Sequence, residues 1–123
     1  MANTHTPIKR GNTMADRWVY RAQWTFDADG NGTAVKVGGF TDKAVQITGT
    51  PDFGGGTLTM QGSMDGTDWF TLRDLDAADM AWTADPAYSM GIRDLSLYIR
   101  PVLSGATAPD ITLELVAASP AAR

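Results

Sequence analysis

The run Asp27-Ala28-Asp29-Gly30-Asn31-Gly32 matches the first half of a calcium loop. In such a loop the side-chain oxygens at positions one, three and five, here Asp27, Asp29 and Asn31, converge on the ion, and glycine at position six makes the sharp turn. Position twelve should be a bidentate glutamate and is Gly38. A hairpin connection uses the same letters for the positive φ angles of its turn. No metal is therefore expected, and the three residues stand only as a calcium candidate. Asp74, Asp76, Asp79 and Asp85 lie close together and could supply two carboxylates for glycoside hydrolysis. That chemistry needs one carboxyl with a raised pKa in an apolar pocket, and a polar run of aspartates reads as a solvated turn. Cysteine is absent, which excludes disulfides and thiolate chemistry, and the single histidine is His5. Gly54-Gly55-Gly56 lacks the lysine and helix of a phosphate loop. No enzyme and no cofactor are expected.

Ser63-Met64-Asp65-Gly66-Thr67-Asp68-Trp69 resembles the Asp-box turn of sialidase propellers, S-x-D-x-G-x-x-W, with one residue missing between Asp and Gly. It occurs once, so it reads as a tight turn in which Ser63 or Asp65 bonds local amides and Trp69 covers the turn. Four tryptophans and three tyrosines raise the question of sugar stacking. Trp18, Tyr20 and Trp24 fall on one face of a single strand, which suits a core or a subunit interface. Arg17 and Arg21 share the opposite face. They and Arg100, between Ile99 and Pro101, are candidates to contact carboxylates across an interface.

The elements that must carry these residues read as strands. Trp18, Tyr20, Ala22, Trp24 and Phe26 alternate with Arg17, Val19, Arg21, Gln23 and Thr25, the period of two that a strand imposes. The same period marks Val35–Val37, Val45–Thr48, Thr57–Gln61, Trp69–Leu72, Leu95–Arg100 and Ile111–Val116, with one further short strand at Met80-Ala81-Trp82. About seven to eight strands separated by Gly, Pro and Asp clusters predict an all-β chain, an antiparallel β-sandwich of jelly-roll type. Thirteen aspartates, fifteen threonines, thirteen glycines and a lone Glu114 agree with a turn-rich β composition poor in helix formers. The expected organisation is an extended arm over residues 1–16, a sandwich over 17–117 and a tail over 118–123.

Charge is uneven. Residues 1–25 hold Lys9, Arg10, Arg17 and Arg21 against Asp16, whereas the rest holds six basic and thirteen acidic groups, and the whole chain carries a net charge of −4. That balance argues against a nucleic-acid partner. No apolar stretch approaches the ~20 residues that span a bilayer, so no membrane partner is expected and synthesis in the cytoplasm is. A basic arm on an acidic body suits self-complementary assembly.

The stretch Val45–Val116 resembles small virion proteins of tailed bacteriophages. The shared pattern is V-Q-I-T-G-T at Val45–Thr50, T-L-T-M-Q-G-S-M-D-G-T-D-W-F-T-L at Thr57–Leu72, Y-I-R-P-V-L-S-G at Tyr98–Gly105 and I-T-L-E-L at Ile111–Leu115. The resemblance implies a capsid decoration (cement) protein on the outside of a virion made in the host cytoplasm. Its partners would be the major capsid protein and copies of itself, as a trimer or dimer. Expected contact residues are Ile8, Lys9, Arg10, Arg17, Trp18, Tyr20, Arg21 and Arg100. The alternative is a tail- or fibre-associated β module that binds carbohydrate through Trp69, Trp82 or Tyr88.

Overall fold

A computed structural model describes residues 4–10 and 17–120. Among them are eleven strands: β1 (Thr4–Arg10), β2 (Arg17–Phe26), β3 (Gly30–Asn31), β4 (Val35–Lys36), β5 (Asp42–Asp52), β6 (Thr57–Ser63), β7 (Trp69–Thr71), β8 (Ala81–Trp82), β9 (Met90–Gly91), β10 (Tyr98–Ser104) and β11 (Asp110–Pro120). Every strand pairing is antiparallel. The strands form two sheets, one in the order β1-β2-β11-β5-β9 and the other in the order β3-β10-β6-β7, with β4 also on β10 and β8 on β6.

Alternation decides which face each sheet buries. Ala22, Trp24 and Phe26 of β2, Ile111, Leu113 and Leu115 of β11, and Val45 and Ile47 of β5 point inward from the first sheet. Leu58 and Met60 of β6 and Ile99 and Leu103 of β10 meet them from the second. The result is the expected antiparallel sandwich, with Leu72, Met80, Met90 and Ile92 filling the side where β7 and β9 approach. There an Asp74–Ile92 bridge and an amide of Arg93 bonded to the Arg73 carbonyl at 2.8 Å tie the two sheets together.

Three features depart from the sequence reading. Thr4–Arg10, within the expected extended arm, is a strand paired along β2; its letters lack the two-residue period because it lies at a sheet edge. Strand β11 continues to Pro120, beyond the expected boundary at 117, because its last residues still pair with Arg17–Val19. Strand β10 begins at Tyr98, so Leu95 and Leu97 are exposed. The chain before it crosses between sheets: the amide of Ile92 bonds Lys43 in one sheet and that of Leu97 bonds Ser63 in the other. With no ladder over this segment, alternation has no face to select. Phe70 lies opposite Gly62, on the inward side that it shares with Leu72 as the alternation requires; it is 38% exposed because β7 is an edge strand, while Leu72 is buried.

Three loops close the end of the sandwich where β2 finishes. Asp29 accepts the amides of Gly105 and Ala106 at 2.9 and 2.8 Å, one on each carboxylate oxygen. The Thr107 amide donates to the Gly54 carbonyl at 2.9 Å, and Asp110 sits opposite Asp52 in the ladder. No lysine or arginine occurs in 26–34, 49–57 or 104–111, so these three loops carry Asp27, Asp29, Asp52 and Asp110 without a cationic side chain of their own.

Candidate interaction surface

The outward face of the second sheet brings together Trp69, Tyr98, Arg100 and Lys36. Ile99 and Leu103 point into the core, so Tyr98 and Arg100 point out. Register then fixes their neighbours: Arg100 lies opposite Gln61, which lies opposite Thr71, and Tyr98 lies opposite Ser63, which lies opposite Trp69. The Arg100 guanidinium sits 4.0 Å above the Trp69 ring, and its Nε donates to Gln61 Oε1 at 3.0 Å. Such stacking contributes about 0.5–1 kcal/mol at exposed sites and more when water is excluded. Partial burial lowers the Arg100 pKa, yet a guanidinium remains charged throughout the working pH range. Across β4, Lys36 Nζ is 6.0 Å from the Tyr98 ring centre. Lys36, Gly38, Gly39, Leu97 and Tyr98 line a shallow groove of about 340 Å³.

The β6–β7 turn supports this face. Ser63 Oγ donates to Asp65 Oδ1 at 3.0 Å and accepts the amides of Asp65 and Gly66. Asp65 Oδ1 also accepts the amides of Thr67 and Asp68, both at 2.8 Å. Gly66 takes φ +79°, and the Tyr98 ring lies beside it. This is the tight turn expected from the Asp-box-like letters, although Trp69 is occupied by Arg100.

The amides of Asp68 and Thr67 and the Ser63 hydroxyl hold the Asp65 carboxyl down at about 2, below its ordinary 3.8. A carboxylate whose pKa is depressed by folding adds stability above its unfolded value and loses that contribution as pH falls through the folded one. The turn is therefore expected to loosen between pH 4 and pH 2. Thermal melts across that window should show a stability loss that Asp65→Asn flattens; parallel melting curves for the two proteins would refute this.

The remaining candidate residues fall elsewhere and do not converge. Arg21 pairs within the chain with Glu114 at 2.8 Å, on the outward face of the first sheet. Tyr20 is part-buried and stacks on Phe40, with centroids 5.9 Å apart, and burial raises its pKa. Ile8, Lys9 and Arg10 stand opposite Arg21, Tyr20 and Val19 in register; their side chains, and those of Arg17 and Trp18, lie outside the described residues. Asp29 serves the loop amides described above, while Asp27 and Asn31 are exposed. Among the described residues no three carboxylates or histidines converge as metal ligands. Asp74 and Asp85 accept backbone amides of their own loops. Trp82 packs on the core, whereas Tyr88 is 62% exposed beside a groove of about 290 Å³ that Leu75 also lines. The Trp69–Arg100 pairing escaped sequence reading because the register of β6 joins residues far apart in the chain.

Comparison with known proteins supplies a fold likeness alone. No protein-family model matches the chain, and no curated protein matches it in sequence. The chain is similar in structure to the crystal structure of the SPBc2 prophage-derived protein YomS, with a TM-score of 0.56 and 10% identity, over 97% of this chain and 96% of that one. At that identity the shared property is the two-sheet architecture, here carried nearly end to end by a prophage-derived protein.

Proposed function

We propose that this chain is a bacteriophage virion structural protein that binds the outer surface of the capsid and reinforces it. The carrying observation is the near-complete fold likeness to a prophage-derived protein, to which the sequence pattern over Val45–Val116 adds its own resemblance. Such a protein acts by adding binding energy that the assembled lattice has and free subunits lack. Many modest contacts repeated around a shell act together, so each copy need not bind tightly. Its partners in this reading are the major capsid protein and further copies of itself. It needs no catalysis and no cofactor, and no helix among the described residues is long and apolar enough to cross a membrane.

The test uses heads and tails of the encoding phage, purified separately. The full-length chain is expected to co-sediment with heads to a saturable level and to raise the temperature at which they release DNA. Binding to tails alone, or to a glycan with loss on Tyr88→Ala, would overturn the capsid reading in favour of a tail module. Truncating residues 2–16 is a poor probe, because it removes β1 and bares the edge of β2.

A further inference from the structure

Among the described residues Arg100 has no anionic partner. It is oriented by Trp69 and Gln61, and no carboxylate among the described residues lies within ion-pair distance of it or of Lys36. Among the described residues its Nε alone is engaged by a hydrogen bond, which leaves the terminal nitrogens of the fork to face a carboxylate. Arginine beside tryptophan and tyrosine is also the composition of interface hot spots. The nearest turn offers no ready partner in Asp65, whose carboxylate already serves Ser63, Thr67 and Asp68.

The acidic end has the opposite deficiency. The side chains of Asp27 and Asp110 make no hydrogen bond or ion pair among the described residues, and Asp52, whose Oδ1 accepts the Gly54 amide at 2.9 Å, sits opposite Asp110 in the β5–β11 ladder. Like charges placed opposite one another in a sheet repel. The acids close the end of the sandwich where β2 finishes, whereas Arg100 lies on a sheet face, stacked on Trp69 and bonded to Gln61.

We propose that the Trp69–Arg100 face receives the aspartate-bearing end of a second copy of this chain, so that the protein associates head to tail. The contact joins two different patches, and depending on the rotation between copies it closes into a ring or continues as a chain. It stands on these charges and rings and does not depend on the capsid reading.

Sedimentation velocity on the full chain, from micromolar to millimolar concentration, tests it. The wild type is expected to associate, less so as salt rises. Arg100→Ala, and separately Asp52→Asn with Asp110→Asn, should each lower the association constant about tenfold or more. All of these positions are at the surface and the asparagines keep the shape, so folding is verified by circular dichroism. Mixing the two variants is the decisive arm: one retains the acidic end and the other the arginine face, so the mixture regains one contact and forms a dimer. A wild type that stays monomeric, a variant that associates as the wild type does, or a mixture that stays monomeric would overturn the proposal. A face-to-face dimer through Asp68 would show itself by self-association of the aspartate variant. Head binding is read separately, so either proposal can fail alone.

Discussion

Gly54→Ala is expected to lower the unfolding free energy by about 3 kcal/mol or more, a combination of left-handed backbone cost and overpacking. Gly54 has φ +58°, where a Cβ meets its own following carbonyl. A Cβ there would also stand 2.3 Å from the Thr107 carbonyl oxygen, and backbone cannot rotate away as a side chain can. The displaced strand of contacts includes the Thr107 amide bond to the Gly54 carbonyl, so the loop carrying Asp29's partners shifts with it. Gly55→Ala is the matched control. It shares the left-handed backbone at φ +80° but faces open space, so it should cost only about 1–2 kcal/mol. Urea denaturation of both variants separates crowding from conformation; equal losses would show that the Thr107 contact carries nothing.

Trp24→Ala has the larger effect on the core. The side chain is fully buried between the sheets, and its indole Nε1 donates to the Thr33 carbonyl at 2.9 Å. Truncating a buried tryptophan costs about 3–5 kcal/mol, and the abandoned carbonyl adds to that. Since small domains are stable by only about 5–15 kcal/mol, the variant should be close to unfolding at ordinary temperature. Urea melts followed by circular dichroism are the measurement. The neighbouring Thr25→Ala, on the solvent side of the same strand, should change stability by less than about 0.5 kcal/mol. Similar losses for both would mean that the faces of β2 are assigned wrongly.

Much of the sandwich was legible because buried faces write a period of two into long strands. Strand β2 shows this best: Ala22, Trp24 and Phe26 are buried, as their alternation requires. Strands of two residues, such as β3 and β9, are too short to show any period, and β8 was visible only through Trp82. Leu95 and Leu97 misled for the opposite reason, alternating without a ladder behind them. Of the interaction surface, Arg100 could be singled out by its place between Ile99 and Pro101. What holds it could not, since stacking on Trp69 depends on how β10, β6 and β7 are aligned, a tertiary property that no local spacing encodes.

The register of the first sheet has a mechanical consequence. Strands β1 and β11 flank β2 and run parallel to each other, with Thr4 near one end of the sheet and Pro120 at the other. Tension applied across those two residues drags both strands lengthwise past their neighbours, loading the crosswise hydrogen bonds together in shear. The ladder would then rupture as a block instead of unzipping bond by bond.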